Sequence, residues 1–499
     1  MIMTRKVRFF SHKNLMVRTT VHFFLKVKNY QSDYFMQTWT SALLEIIPSL
    51  NTKEYRIFDK YRPGTDTYLV PSSDKQDLLF HLPLVIRTGI LDGISLPLSS
   101  SPGALHAIIE YIKKASINSP NIGHLYGRET GNMSRYSVNI EPCTIAHSPS
   151  MIGSNLWRPD DQNMVIPEGI RLSIRGAIPY LPLTTQNINS VSSTLSAYIE
   201  SMADFVCHVP PVRIRKDWEA TTDQQHLRSE LHNRGLICFI GDGTRPARSY
   251  TRHRSWFRVA GPKEGVHIPF SCPKELDPVE VCLQGSNRTI TGLGIRKGEI
   301  LAITGSNAEG KSTLLQAIQA GEDDHAPGDG REELVTIPGG VAPDATGVEL
   351  KGSDLKPFFS YLPPGMSGNP SSAFGQGSGS ASMASRISDA LRKRSPYIII
   401  DEDRAAQNLM VPCYMSSSKV RSLATLIRED REWLFGSTLI IAGSGMELLV
   451  AQADRIVRLC NHEAKAQSVT LYRDGLQKHY ESLQAMVMEK RSGEGDIYK

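Results

Sequence analysis

The eight residues Gly305-Ser306-Asn307-Ala308-Glu309-Gly310-Lys311-Ser312 have the glycine, lysine and serine spacing of a phosphate-binding loop. Glycines at 305 and 310 let backbone N–H groups close around a β-phosphate, and the N-terminus of the helix that follows favours negative charge. Lys311 is then placed to contact the β- and γ-phosphates, and the Ser312 hydroxyl to ligate Mg²⁺, with Thr313 completing the nucleotide-binding set. A second run, Tyr397-Ile398-Ile399-Ile400-Asp401-Glu402, is apolar and ends in two carboxylates. Beside a phosphate-binding loop, Asp401 can hold Mg²⁺ directly or through water, and Glu402 can polarise an attacking water. The chemistry predicted is binding of a nucleoside triphosphate, ATP, with Mg²⁺, and hydrolysis with Lys311 and Glu402 as the catalytic residues.

That chemistry requires a strand before the loop, a helix after it and the acids at the end of a neighbouring strand. Residue patterning predicts strands at 279–282, 299–303, 397–400 and 438–442, with helices at 311–319, 383–393 and 420–431. The Gly/Pro/Ser-rich stretch 321–382 reads as poorly structured. Strands alternating with helices imply an α/β domain built on a mostly parallel, helix-covered sheet. Upstream, 235–241 reads as a short buried strand opening into Gly241-Asp242-Gly243, 170–178 as a strand and 191–205 as a helix. Residues 35–165 are mixed and loop-rich, with amphipathic helices at 42–50 and 104–112 and no chemistry-bearing motif. The last thirty residues read as a polar helical tail.

At 499 residues the chain exceeds a single core, and two or three domains are expected. The divisions expected are 1–32, an α+β region at 33–165, a second at 166–275, an ATPase domain at 276–465 and a tail at 466–499. Forty per cent apolar and 21% charged residues suit a globular protein, and a net charge of +5 does not by itself indicate a polyanion partner. The cysteines at 143, 207, 238, 272, 282, 413 and 460 are odd in number and never in a Cys-x-x-Cys pair, which disfavours a disulfide framework or zinc site. No stretch approaches the roughly 20 apolar residues that span a bilayer, so membrane insertion is not expected. Arg5, Lys6, Arg8, Lys13, Arg18, Lys26 and Lys28 all precede the first acid, Asp33, with apolar residues interleaved. This is the pattern of a mitochondrial presequence at 1–32, directing the chain to the matrix; a basic arm or a first strand lacking acids is the alternative.

The order Val279-Glu280-Val281, then Gly292 to Ile300, then the phosphate-binding loop, resembles the entry of an ABC-type ATPase domain. Gly377-Ser378-Gly379-Ser380-Ala381-Ser382, between the loop and the acidic strand, resembles the ABC signature motif, in which a serine and backbone amides of one subunit cap the γ-phosphate held by the other. Ser378, Gly379 and Ser380 would therefore join the nucleotide-binding residues. The chain further resembles the family of soluble ATPases of the ABC class without transmembrane partners. His325-Ala326-Pro327-Gly328-Asp329-Gly330-Arg331-Glu332, Ile400-Asp401-Glu402-Asp403, Ala406-Gln407-Asn408 and Gly443-Ser444-Gly445 carry this likeness over roughly 165 to 460. The resemblance implies a homodimer with two ATP molecules at its interface, closed by ATP and opened by release. It departs from ordinary ABC ATPases at Asp403, where a proline is usual, at Asn408, where an aspartate is usual, and at Ser444, which stands at the switch-histidine position and would face the γ-phosphate. Gln376 is a candidate for the glutamine that ordinarily follows the loop. Losing the histidine points to slow turnover and an ATP-controlled clamp. Asp329 and Glu332 could orient Mg²⁺ or water, or build a turn.

Arg245, Arg248, Arg252, Arg254 and Arg258 are interleaved with Tyr250, Trp256 and Phe257, and Arg213, Arg215 and Lys216 lie upstream. Arginine clasps phosphate and aromatics stack on unpaired bases, so Arg245, Arg248, Arg252, Arg254, Trp256 and Arg258 are candidate contacts for single-stranded RNA. A solvated basic loop, or one reaching its own ATP, is the alternative. With the targeting segment, the cluster makes the chain similar to ABC-type ATPases of kinetoplastid mitochondrial RNA-binding and editing complexes, with other RNA-processing proteins as partners. A protein-assembly scaffold in which ATP acts structurally is the rival reading.

Overall fold

The computed structural model describes residues 204–247, 268–414 and 420–488 continuously, and before them the elements named below with a few isolated positions. The chain divides into two units, Met1–Thr222 and Asp223–Lys499.

In the first unit, β1 (Phe23–Lys26), β2 (Tyr68–Pro71), β3 (Asp77–Arg87), β4 (Thr144–Ile145), β6 (Met164–Ile166) and β7 (Gly169–Pro179) form one sheet. Its centre is the long antiparallel pair β3 and β7, in register from Asp77 opposite Pro179 to Ile86 opposite Ile170. Helix α1 (Pro102–Ser116) buries Ala104, Leu105, Ala107, Ile108, Ile109 and Ile112, the spacing of one helical face. The short strand β5 (Leu156–Trp157) completes the strands here. The expected helix at 42–50 lies outside the described residues.

Helix α2 (Pro211–Asn233) carries the chain from one unit into the next, and sequence patterning did not foresee it. Arg213, Arg215 and Lys216 fall in its opening turns. In the second unit, β8 (Leu236–Gly241), β9 (Val279–Cys282), β10 (Thr289–Arg296) and β13 (Leu334–Thr336) make an antiparallel sheet in the order β13-β8-β10-β9. The central sheet has the order β17-β18-β11-β19-β20, from β11 (Ile300–Gly305), β17 (Tyr397–Asp401), β18 (Thr438–Ala442), β19 (Arg455–Cys460) and β20 (Glu463–Gln467). The first four of these run parallel, as expected, and β20 returns antiparallel.

The apolar runs of β11, β17 and β18 feed two cores, because successive side chains of a strand point to opposite faces. Ile300, Ala302, Ile398, Ile400, Leu439 and Ile441 belong to one core, with α4 (Gly379–Arg392) and α6 (Leu423–Glu429). Leu301, Ile303, Tyr397, Ile399, Ile440 and Ala442 belong to the other, with α3 (Lys311–Ala320) and residues of β8 and β10. A sheet covered on both faces must be apolar at every position, which is why these strands lack polar alternation.

The stretch expected to be poorly structured is instead ordered into short strands. They are β12 (Asp324–His325), β13, β14 (Glu349–Ser353), β15 (Ser367–Asn369) and β16 (Ser372–Gln376), the last three forming an antiparallel sheet. Helix α4 also starts four residues earlier than patterning suggests, because Ser378 caps it by accepting from the Ala381 N–H. Two four-residue helices, α5 (Gln407–Met410) and α7 (Glu447–Val450), follow β17 and β18, and α8 (Val469–Met488) forms the expected C-terminal helix. Among the described residues no helix is long and apolar enough to cross a membrane.

Candidate nucleotide site

Parallel strands deliver their C-terminal ends to one edge, where ligands of open α/β sheets bind. Register places Ile303 of β11 and Asp401 of β17 each opposite Ala442 of β18. The phosphate-binding loop, the two acids and the Gly443-Ser444-Gly445 loop therefore leave the sheet at one level.

The loop has the backbone its sequence implies. Gly305 and Gly310 adopt φ of 141° and 97°, and Ala308 66°, all in the region that favours glycine. A Cβ at Gly305 would stand 2.5 Å from the Leu459 carbonyl oxygen, so β19 permits only glycine there. Lys311 Nζ donates to the Gly305 and Ser306 carbonyls at 2.8 and 2.9 Å, holding its ammonium within the loop. Ser306, Asn307 and Ala308 are exposed, and Glu309 accepts from the His462 N–H at 2.8 Å, pinning the loop to the β19-β20 turn. Ser312 and Thr313 open α3.

Ser312 Oγ donates to Asp401 Oδ1 at 3.3 Å across the sheet. Burial pushes the Asp401 carboxyl above its usual range, and Asp403 adds to the push while the bond from Ser312 opposes it. A hydroxyl and a carboxylate held together in half-buried surroundings suit a hard cation that takes oxygen ligands. The chain thus supplies donors for Mg²⁺ at Ser312 and Asp401. Among the described residues no group of three or more His, Cys, Asp or Glu side chains assembles elsewhere as a metal site.

Glu402 lies in a 3-10 turn, Glu402–Arg404. Its Oε2 accepts from the Ser444 N–H at 2.6 Å and its Oε1 from the Gly445 N–H at 2.9 Å. Ser444, expected to offer its side chain to the γ-phosphate, thus contributes a backbone donor to the Glu402 carboxylate. Sequence gave no sign of this because any residue but proline has that donor.

The signature segment sits at the N-terminus of the fourteen-residue α4. Ser378 is exposed, and Ser380 Oγ donates to Asn408 Oδ1 at 2.8 Å. A Cβ at Gly379 would meet the Ala345 carbonyl at 2.9 Å, and Ala345 N donates to the Arg404 carbonyl at 2.8 Å. The 344–348 segment therefore touches both the signature turn and the turn that bears Glu402. Arg386 of α4 fastens it by bonding Asp344, whose carboxyl is lowered by the Thr346 amide and the Arg386 charge against the opposing effect of burial. Gln376 is exposed on β16.

The Gly328–Glu332 loop builds a turn. Glu332 accepts from the Gly328 and Gly330 amides, the latter at 2.7 Å. Asp329 is 1% exposed and pairs with Arg331 at 2.8 Å and with His325 at 3.3 Å. Burial alone would raise the Asp329 carboxyl, but the bonds and charges of His325 and Arg331 hold it well below the usual range. Arg245 donates its backbone N–H to the Gly330 carbonyl at 2.7 Å, so it lies against this loop. The other candidate RNA contacts, Arg248, Arg252, Arg254, Trp256 and Arg258, lie outside the described residues.

Residues 211–492, over half the chain, match the model of the P-loop domain of the ABC_ATPase family. The chain belongs to this family. An uncharacterized protein of Methanocaldococcus jannaschii is 37% identical over 380 residues, which is 76% of this chain and 83% of that protein. Among solved structures, cbiO1 from Clostridium perfringens, part of the ABC transporter complex cbiONQ, is 14% identical. It covers 51% of this chain and 96% of its own, with a TM-score of 0.29. The ABC-type ATPase domain of the chain is ATP-binding and has the α/β fold expected of it.

Proposed function

We propose that the chain hydrolyses ATP with Mg²⁺ in a composite site made by two copies arranged head to tail, and that the ATP-closed pair acts on single-stranded RNA in mitochondrial RNA processing. The observation that carries the catalytic part is the meeting of Ser312 with Asp401 at 3.3 Å, with Glu402 the next residue on the chain. Lys311 and the loop amides bind the β- and γ-phosphates, and Glu402 orients the attacking water and draws on its proton. Water oxygen bonds to the γ-phosphorus as the bond to the bridging oxygen breaks, leaving ADP and phosphate. Mg²⁺, held by Ser312 and Asp401, would neutralise charge on the phosphate oxygens.

The signature segment supports the paired arrangement, because Ser378, Gly379 and Ser380 open a long helix whose N-terminus suits phosphate. A head-to-tail pair uses each segment once and closes on itself with two sites. The RNA part rests on the basic and aromatic run from Arg245 to Arg258. Filter binding of single-stranded RNA, with and without ATP, tests it. The expected result is salt-dependent binding weakened by Arg252→Ala, Arg254→Ala and Trp256→Ala, and unchanged affinity in these variants removes the RNA surface. For catalysis, Glu402→Gln should lower ATP turnover by at least about a hundredfold with nucleotide binding retained; wild-type turnover would remove Glu402 from the role.

A further inference from the structure

Gln407 lies in the Ala406-Gln407-Asn408 motif, and the chemistry above gives it no task. Its Nε2 donates to the Gly445 carbonyl at 3.0 Å. That carbonyl belongs to the residue whose N–H holds Glu402 Oε1. The Gly443-Ser444-Gly445 loop is anchored at its other end by the Gly443 N–H donating to the Ile303 carbonyl at 3.2 Å, next to the phosphate-binding loop. Between these anchors the loop applies two N–H donors to the two oxygens of one carboxylate.

The loop and the carboxylate are in close contact. A Cβ at Gly443 would stand 2.7 Å from Glu402 Oε2, and one at Gly445 would overlap Oε1. Two charge-assisted bonds from fixed amides set the plane of a carboxylate, and each oxygen keeps a lone pair for water. Gln407 is itself held, because α5 buries Leu409 and Met410 and follows directly on the turn bearing Glu402. The acid, and the side chain that secures the loop gripping it, therefore lie on one short segment.

We propose that Gln407 is a positioning residue for Glu402, acting through the backbone amides of Ser444 and Gly445, which take the place of a side chain at the switch position. The inference rests on the reading of Glu402 as the carboxylate that orients water.

The test uses the full chain, with ATP turnover and ATP affinity measured separately. Gln407→Met keeps the shape and removes the donor at an exposed position, so the fold is retained. It should lower kcat by about tenfold, the scale of one lost hydrogen bond acting on a catalytic group, with KM unchanged within about twofold. Gly445→Ala should reduce turnover to the level of Glu402→Gln. In the Glu402→Gln background Gln407→Met should cause no further loss, because a residue that works only through Glu402 has nothing left to position. Wild-type kcat in Gln407→Met, or the same loss in both backgrounds, overturns the proposal. If Glu402→Gln itself turns over normally, the assignment of Glu402 fails; if Glu402→Gln is slow and Gln407→Met normal, only the role of Gln407 fails.

Discussion

At the scale of single residues, the fold joins groups whose folded environment is costly without a ligand to groups it stabilises. Asp401 is the first kind, since burial and Asp403 both disfavour its charge. Asp401→Asn should raise the melting temperature of the nucleotide-free protein while abolishing Mg²⁺-dependent turnover; calorimetry and an ATPase assay read the two effects, and a lower melting temperature would contradict the electrostatic account. Asp329 is the second kind. Its folded carboxyl titrates below the unfolded value of about 3.9, so its stabilisation is fully present above about pH 4 and is lost as pH falls through the folded value. Asp329→Asn should therefore shrink the acid-induced fall in stability below about pH 4, read by denaturant midpoints across pH. Residue chemistry was legible in the sequence where the residue types themselves are contiguous, as in Gly305 to Ser312 and Asp401-Glu402. The Ser444 amide was not legible, because backbone donors carry no residue signature and their aim depends on tertiary register.

At the scale of elements, the strands that deliver the site were readable because β11, β17 and β18 are unbroken apolar runs. Helix α2 was not, and the reason is specific. Its buried positions include Asp217, Thr221, Asp223 and Gln224 besides Ile214, Leu227 and Leu231, so the buried face shows no apolar period. Thr221 bonds back to the Asp217 carbonyl at 2.8 Å, while Asp223 and Gln224 have distant partners: Asp223 accepts from the Gly285 N–H at 2.6 Å, and Gln224 exchanges two bonds with the His325 backbone at 2.6 and 2.8 Å. Arg228 binds Asp324 at 2.6 Å and the Gly321 carbonyl at 3.2 Å, tying the helix to the end of α3. Arg228→Ala should cost about 3 kcal/mol in denaturant unfolding, because it leaves a buried carboxylate without its cation and with only the Gln225 amide at 3.4 Å; a change below about 0.5 kcal/mol would make the pair an ordinary surface one. The strands β12 to β16 escaped notice because each has five residues or fewer, too short for a period to emerge among glycines and serines.

At the scale of the whole molecule, the phosphate-binding loop and the signature segment sit at the N-termini of helices that cover opposite faces of one sheet. In the proposed pair a second copy would bring signature to loop, and ATP between them would supply the differential affinity that closes it. The measurement that bears most directly on this account is the molar mass of the Glu402→Gln chain by light scattering, with Mg²⁺ and with or without ATP. Twice the chain mass with ATP, the single-chain mass without it, and loss of the dimer on adding Ser380→Phe at the signature segment are predicted. A mass that does not respond to ATP, in a chain that still binds the nucleotide, would contradict it.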